Sequence, residues 1–187
     1  CCGYGVNRFY LDGKDSLDID HYSTNASEGY RDLSCSYIAE IYTDIENQFI
    51  IDVNVDSSYF QDIWAWIDFN DNGNFEDNEV VKQKDSANVS WQGLLSVPFD
   101  TALGLNKLLR LRILTDAAGA VVDSCFEPMF GQVEDYGVVI RKVPAPVADF
   151  SIDTTFYNCG DTAFFTNLSK YDASRIWDFG DGNTSTE

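Results

Sequence analysis

Residues 62–79, "DIWAWIDFNDNGNFEDNE", carry the strongest structural signal in the sequence. In residues 62–69, apolar side chains occupy odd and even positions alike, which is typical of a central strand that is covered on both faces. In residues 70–79, acids and amides surround the dipeptide Asn72-Gly73, which is typical of a tight turn. The stretch therefore predicts a central β-strand that runs directly into an oxygen-rich loop.

Three further segments predict strands. Residues 48–56, "QFIIDVNVD", alternate apolar and polar side chains with the period of two of a half-buried strand. Residues 107–116 alternate leucine and isoleucine with Arg110 and Arg112, and residues 132–143 are also strand-like. Turn-forming residues fill the connections, and no long helix is predicted. The expected fold is all-β, an antiparallel β-sandwich of the jelly-roll or Ig-like type.

The chain is expected to contain two β units. Pro144 and Pro146 restrict the backbone and cannot donate to a sheet, so residues 144–146 are interpreted as a linker after a first domain, 1–143. Residues 147–187 begin a second β unit. These 41 residues are close to the size, roughly 40 residues, below which a core seldom stands alone. A partial Ig-like β-sandwich is therefore expected there.

The charge balance excludes several classes of partner. The sequence has 12 basic and 31 acidic residues, a formal net charge of −19, and it has no basic run. Nucleic acids and anionic membranes are bound through clusters of lysine and arginine, so neither is expected as a partner. No apolar stretch is long enough to span a membrane or to form a signal segment. Because the chain starts at Cys1 without Met, it is interpreted as a piece of a longer protein, from which any leader has been removed.

The five cysteines predict disulfides rather than a zinc centre. They form no C-x-x-C pair and accompany a single histidine, so no zinc site is expected. Disulfides indicate an oxidising compartment, and the protein is expected to be secreted or on the cell surface. A bond between Cys1 and Cys2 would be strained, so these two are expected to pair with Cys35 and Cys125 in either order. Cys159 is left over.

The loop after the central strand predicts a calcium site. Its acids, amides and glycine match five positions of a twelve-residue calcium loop, although no helix flanks it. The candidate ligands are Asp68, Asn70, Asn72, the backbone carbonyl of Asn74, and Glu79, with Glu76 or Asp77 as further ligands. Calcium is the expected ion because every donor is oxygen. Two amides in place of acids predict weak binding and a structural role.

Catalysis is not expected in this chain. His21 is the one histidine that could act as a base, and its segment "DIDHYSTN" is interpreted as a polar surface loop. Trp64 and Trp66 share one face of a strand and are interpreted as core residues. Trp91 is the better candidate for an exposed ring that binds sugar. A carbohydrate-binding module is therefore an alternative function, and a spacer in a surface fibre is another.

Several motifs resemble known extracellular families. Residues 64–79, 109–116 and 125–140 resemble the GEVED domain, with "GQVEDY" at 131–136 standing at the motif that names it and Gln132 replacing its usual first Glu. "GYRDLSCS", residues 29–36, is similar to an upstream motif of that family, and the resemblance covers roughly residues 1–143. "WDFGDG", residues 177–182, resembles the first half of a PKD-type domain.

The resemblance implies a function class. Both families are extracellular β-sandwich modules that accompany catalytic domains in large secreted or surface proteins of bacteria, and neither is known for catalysis. The resemblance therefore implies a role in adhesion, substrate attachment or spacing. The expected partners are the other domains of a larger protein, and a polysaccharide or an extracellular surface is a further candidate partner. Glu134 and Asp135 of the motif could supply further calcium ligands or bind backbone amides at a corner of the sandwich.

Two covalent features are also expected. The motifs around Cys35 and Cys125 are expected on neighbouring strands, so pairing of Cys2 with Cys35 and of Cys1 with Cys125 is favoured. Asp followed by Ser or Thr and a small or aliphatic residue resembles an O-glycosylation acceptor of certain gliding and gut-dwelling bacteria. The candidate acceptors are Ser16, Ser86, Thr101, Thr162 and, with a weaker match, Thr154.

Overall fold

The computed structural model of the chain describes residues 4–14, 16–23, 29–54, 60–87, 90–97, 104–121, 123–125, 127–153, 162–172 and 174–186, with the backbone alone at 54 and 84–87. The chain forms two compact units, Cys1–Lys142 and Val143–Glu187. Within the described ranges, no helix is long and apolar enough to cross a membrane.

In its described residues, the first unit is built from strands and one short 3₁₀ helix. The strands are β1 (Gly5–Leu11), β2 (Ile19–Tyr22), β3 (Tyr30–Asp32), β4 (Ile38–Tyr42), β5 (Glu46–Asn54), β6 (Gln61–Ile67), β7 (Val80–Ala87), β8 (Ser90–Ser96), β9 (Leu108–Ala117) and β10 (Gln132–Arg141). The 3₁₀ helix, Asp77–Glu79, lies between β6 and β7. The predicted strands therefore correspond to β5, β6, β9 and β10, and the all-β prediction is confirmed.

These strands form two sheets. The four-stranded sheet has the order β2-β1-β5-β8, and its pairings are antiparallel. The six-stranded sheet has the order β3-β10-β9-β6-β7, with β4 also paired to β10. β3 and β4 both run parallel to β10, whereas β9 pairs with it in the antiparallel sense. The sandwich is thus antiparallel except along one edge of the six-stranded sheet.

The main core lies between the sheets and takes alternate residues from each strand. Its largest fully buried aliphatic side chains are Leu11, Ile19, Ile41, Ile51, Ile63, Ile67, Leu109, Leu111, Ile113 and Ile140. β6 contributes Ile63, Ala65 and Ile67 to this core and presents Trp64 and Trp66 on its other face. This explains why residues 63–67 are apolar at every position, and it confirms their central place.

A second apolar cluster covers the outer face of the six-stranded sheet. Its buried members are Trp66, Leu114 and Val133, with Trp64, Phe75, Val80 and Val121 packed against them. We call this group the outer cluster. The rings of Trp64 and Trp66 stack at 5.4 Å between centroids with an interplanar angle of 14°. The interpretation of Trp66 as a core residue is confirmed, since its side chain is 2% exposed.

Two glycines of the "GQVEDYG" segment are required by close backbone approaches. A Cβ at Gly131 would lie 1.7 Å from the carbonyl oxygen of Thr115 on β9. A Cβ at Gly137 would lie 2.5 Å from the carbonyl oxygen of Ser34, in the segment that joins β3 to β4. Both distances are far below van der Waals contact, so β10 can occupy this place in the sheet only with glycine at these positions.

The second unit contains short strands: β11 (Phe150–Ile152), β12 (Phe165–Asn167), β13 (Trp177–Asp178) and β14 (Thr184–Ser185). β11 pairs with β12 and β13 with β14, both antiparallel. Trp177 contacts Phe150 and Phe165, each at 5.8 Å between ring centroids, and Phe165 also contacts Phe179. The three phenylalanines of this aromatic group are exposed, by 57% at Phe150, 40% at Phe165 and 46% at Phe179.

Candidate functional site

The predicted calcium segment forms a closed loop between β6 and β7, which we call the 68–79 loop. The N–H of Asp68 donates to the carbonyl of Arg110 on β9 at 3.0 Å, so the first candidate ligand is held by the sheet. An open cleft of about 380 Å³ lies between residues 68–73 and the start of β9. A cation from solvent would therefore have a path to Asp68.

Asp68 organises the first half of the loop. Its side chain is 5% exposed, and its two carboxylate oxygens accept the backbone N–H groups of Asn72 at 3.1 Å and Gly73 at 2.9 Å. Gly73 has φ of +84°, the left-handed conformation that favours glycine. The Asn-Gly pair thus makes the sharp turn that the sequence predicts.

Glu79 closes the second half of the loop. Its side chain is 2% exposed, and one carboxylate oxygen accepts the backbone N–H groups of Phe69 at 2.8 Å and Asn70 at 3.3 Å. The other oxygen accepts the N–H of Glu76 at 3.1 Å. Burial raises the pKa of Glu79, because water is withdrawn from the charged form. A cation beside this carboxylate would compensate that penalty.

Glu76 lies between the two amide side chains. The Nδ2 group of Asn72 donates to Oε1 of Glu76 at 2.7 Å, and that of Asn70 donates to Oε2 at 3.1 Å. The bond from Asn72 is the main cause that lowers the pKa of Glu76. Rotating each amide by half a turn would direct its oxygen toward Glu76, but it would break the bonds that these oxygens accept from the N–H groups of Asn72 at 3.0 Å and Asn74 at 2.8 Å. Carboxylate and amide oxygens are the donors that a hard cation binds.

The remaining loop candidates are less well placed. Asn74 donates its N–H to the side-chain oxygen of Asn72 at 2.8 Å, whereas Asp77 is exposed in the 3₁₀ helix. In the described part of the chain, no group of three or more His, Cys, Asp or Glu side chains is arranged to hold a metal ion. Calcium at this loop would thus depend on amide and carbonyl oxygens beside the carboxylates, and it stays a prediction.

Phe75 anchors the loop on the outer cluster. Its ring centroid lies 6.5 Å from that of Trp66 and 4.8 Å from the guanidinium carbon of Arg112. The hydroxyl of Ser124 donates to the carbonyl of Phe75 at 3.1 Å, and Arg112 donates to the carbonyl of Ser124 at 2.9 Å. Arg112 therefore ties the 68–79 loop to the segment that precedes β10.

Asp135 is the partner that holds Arg112. Its carboxylate is fully buried and accepts two bonds from the guanidinium, 2.7 Å from Nε and 2.8 Å from Nη2. The Tyr30 hydroxyl donates to the same carboxylate at 2.9 Å, and Arg110 lies 3.7 Å away. Asp135 therefore supports the loop indirectly, by holding Arg112, and makes no direct contact of its own with the loop in these bonds.

Glu134 points to the opposite side of β10, into the space between the sheets. It is fully buried and accepts bonds from the Tyr136 hydroxyl at 2.5 Å, from Gln132 Nε2 at 3.1 Å and from the Ser23 hydroxyl. Arg31 lies 3.6 Å from the same carboxylate. The sequence offers two hypotheses for the Glu134–Asp135 pair, calcium ligands or acceptors from backbone amides. Among the described residues, their partners are instead side chains from β9, β10 and the β2–β3 region.

The interpretation of His21 as a surface residue is wrong. His21 lies on β2, is 5% exposed, and has its Nδ1 2.9 Å from the Tyr136 hydroxyl. Because Tyr136 donates to Glu134, its oxygen accepts from His21, which places the imidazole proton on Nδ1. Burial is the main cause that lowers the pKa of His21. The alternation of Ile19 and His21 with polar neighbours was the signal for a strand here.

The other candidate residues are not part of the 68–79 loop. Cys35 and Cys125 are both exposed, whereas Cys1, Cys2 and Cys159 lie outside the described residues, so the predicted pairing is untested. Among the glycosylation candidates, Ser16 lies in an exposed turn and Thr162 is exposed; Ser86 is on β7 where only the backbone is described, and Thr101 and Thr154 lie outside the described residues. Trp91 is half-buried, and its ring packs edge-on against Phe49 at 5.0 Å.

Comparison with known proteins supports the motif analysis. The family model of the GEVED domain matches residues 62–139. This range runs from β6 into β10, so it contains the 68–79 loop, Arg112 and the Glu134–Asp135 pair. The resemblance to a GEVED domain is thereby confirmed for this part of the chain, whereas the PKD-type likeness stays a prediction. None of the curated proteins matches this sequence.

Proposed function

We propose that the first unit is a non-catalytic, calcium-stabilised extracellular module that serves adhesion, substrate attachment or spacing within a larger secreted or cell-surface protein. The observation that carries this proposal is the 68–79 loop. Asp68, Glu76 and Glu79 bring three carboxylates into one turn, together with the amides of Asn70 and Asn72. Calcium would neutralise this charge and use the oxygen donors that the turn collects.

The role of the cation is structural. Phe75 and the ring of Trp66 cover the outer face of the six-stranded sheet, so a loop that opens would expose the outer cluster. Closing the loop on an ion keeps this face covered outside the cell, where calcium is abundant. We assign the ion no sensing role, because the outer cluster on which the loop rests is packed on the six-stranded sheet.

A non-catalytic role is supported by where the acid–base groups lie. His21 and Glu134 are the pair with the clearest hydrogen-bonded connection, through Tyr136, and all three side chains are at most 5% exposed. A general base must reach a substrate proton, and these groups face the space between the sheets. Their bonds hold the two sheets together.

For the second unit we propose the first half of a PKD-type sandwich. Two two-stranded sheets carry an aromatic group that includes exposed Phe150, Phe165 and Phe179. Further strands of such a domain would cover these rings. A β unit in tandem with the first suits a stalk that presents modules away from a surface, with the other domains of the larger protein as partners.

The experiment is a pair of thermal melts, one with 10 mM calcium and one with chelator. For a dissociation constant of about 1 mM, in the range of extracellular calcium modules, the ion adds about 1.4 kcal/mol. The melting temperature should then fall by about 3–6 °C in chelator. Asp68→Ala should remove that difference. Asp71→Ala is the matched control, because Asp71 belongs to the same loop but is exposed and paired with Lys107 at 3.0 Å. Coincident curves for the unmodified protein would refute the calcium site.

A further inference from the structure

The outer face of the four-stranded sheet differs from that of the six-stranded sheet. The latter is covered by the outer cluster, whereas on the former alternate side chains of β2, β1, β5 and β8 reach solvent. Tyr22 is 59% exposed on β2, and Leu94 is 49% exposed on β8. We call this surface the open face. At a strand spacing of about 4.8 Å, its four strands span about 14 Å.

The open face carries an ordered stack of side chains. The guanidinium carbon of Arg8 lies 5.0 Å from the ring centroid of Tyr22 and 5.5 Å from that of Tyr10. Asp20 accepts two bonds from the same guanidinium, at 2.8 Å from Nε and 3.1 Å from Nη2. The fork-on-fork pairing fixes the plane of Arg8, and the stacking fixes both rings. Side chains that are already ordered lose less entropy when a ligand binds.

The strand register extends this stack into a polar strip. Asp52 lies opposite Arg8 on β5, and Ser90 lies opposite Asp52 on β8. One pair further along, Ile50 lies opposite Tyr10, and Gln92 lies opposite Ile50. Aromatic rings therefore adjoin hydroxyl, amide and carboxylate groups, which both donate and accept hydrogen bonds.

The charge on this face discriminates among ligands. Arg8 is the cation of the stack, and Asp20 neutralises it, while Asp52 adds a negative charge. An anionic polymer would meet no excess of positive charge here. Apolar Ile50 and Leu94 alternate with polar residues, so they offer no continuous patch to the apolar core of a protein interface. A neutral ligand rich in hydroxyls, with C–H surfaces that can lie on Tyr22, suits both properties.

We propose that the open face is a binding platform for a neutral polysaccharide chain, with Tyr22 as the stacking ring and with Asp52 and Gln92 as hydrogen-bonding groups. This site is on the sheet opposite the 68–79 loop, and it goes beyond the calcium-stabilised role. Binding should therefore be the same in calcium and in chelator. The Trp91 ring, which packs on Phe49 beneath the same sheet, supports β8 from the inner side.

Native gel electrophoresis through gels that contain one polysaccharide each tests the proposal. The probes are three neutral polymers, mixed-linkage β-glucan, xylan and galactomannan, and one anionic polymer, polygalacturonate. At least one neutral polymer should retard the protein, and polygalacturonate should not. Tyr22→Ala should weaken binding about tenfold, and Tyr22→Phe should retain it, because the ring rather than the hydroxyl makes the contact.

The matched control is Tyr171→Ala, which removes a ring that is 54% exposed but lies in the second unit. Each variant is first shown to melt at the temperature of the unmodified protein. Retardation that only Tyr22→Ala relieves supports the platform. No retardation by any neutral polymer, equal loss in Tyr22→Ala and Tyr171→Ala, or binding that requires calcium would each overturn it.

Discussion

Replacing Arg112 with leucine tests how the Asp135 carboxylate supports the covered face of the six-stranded sheet. Arg112 is 14% exposed and supplies two of the hydrogen bonds to Asp135, which is fully buried. Its guanidinium also lies over Phe75 and bonds to the carbonyl of Ser124. Leucine fills much of the same volume, so the chief effect is to leave a buried charge without its principal partner.

The expected loss of unfolding free energy is about 3 kcal/mol. Breaking a buried ion pair from one side costs about 3–5 kcal/mol, because the remaining charge is unpaired in a poor solvent. The lower end applies because Tyr30 still donates to Asp135 and Arg110 stays 3.7 Å away. The double variant Arg112→Leu/Asp135→Asn carries no orphaned charge, so it should be more stable than the single variant by about 1 kcal/mol or more.

Urea unfolding at pH 7, followed by tryptophan fluorescence, measures these differences, since Trp66 belongs to the outer cluster that Phe75 and Arg112 cover. Arg110→Leu is the matched control from the same strand and the same face. Its side chain is 44% exposed and its ion pair with Asp135 is long, so it should cost less than about 1 kcal/mol. The reasoning fails if Arg112→Leu costs no more than Arg110→Leu, or if the double variant is less stable than Arg112→Leu.

Two further predictions concern the backbone and the buried histidine. Gly131→Ala should lower the free energy of unfolding by about 3 kcal/mol or more, because its Cβ would meet the carbonyl of Thr115 at 1.7 Å. Thermal melts compare it with Gly119→Ala, whose Cβ would meet nothing within 4 Å. This control should lose only about 1 kcal/mol, from the strain of its positive φ. Burial lowers the pKa of His21 in the folded state below the ordinary value of 6.5, so the unfolded chain binds the proton more readily. The stability from His21 is therefore complete above pH 6.5 and decreases as the pH falls through 6.5, with Glu134 opposing the shift and Arg31 adding to it. His21→Gln should flatten the difference in urea midpoint between pH 7 and pH 5, and an unchanged slope would contradict this account.

Much of the fold was predictable because strand signals are local. Neighbouring residues alone reveal the alternation of apolar and polar side chains in β5 and β9. They also reveal that β6 is apolar on both faces. The 68–79 loop was predictable for the same reason, since its turn and its two closing carboxylates, Asp68 and Glu79, lie within twelve residues of sequence. The structure buries both acids and shows their carboxylates accepting backbone N–H groups of the turn, whereas their role as calcium ligands stays a prediction.

The partners of the Glu134–Asp135 pair could not be predicted, because they are distant in sequence. Ser23 lies 111 residues from Glu134, and Arg112 lies 23 residues from Asp135. A period of two shows that adjacent residues face opposite sides, but it does not show which strands stand beside them. The pairing of β3 and β4 with one edge of β10 is also non-local, and this edge brings Tyr30 to Asp135.

His21 shows that the composition of the neighbouring sequence does not predict burial when the buried side chain is stabilised by a distant hydrogen-bond partner. Its neighbours are polar, and a lone histidine among them has the profile of a surface residue. The Tyr136 hydroxyl, which itself donates to Glu134, provides the hydrogen bond that makes its burial tolerable, and both residues lie more than 110 residues away in the sequence. A buried polar group is stable only with such partners, so its place was fixed by residues that local analysis does not connect to it.

The opposite orientations of Glu134 and Asp135 have a consequence for how β10 aligns with β9. Sliding one strand past the other by a single residue would turn every side chain to the other face. For most strands this exchanges apolar and polar residues, but here it would also remove two buried charges from their separate partners at once. Glu134 would leave Ser23, and Asp135 would leave Arg112. Two adjacent acids with different buried partners therefore specify one alignment of β10 with β9, and misaligned forms of the sandwich are strongly disfavoured.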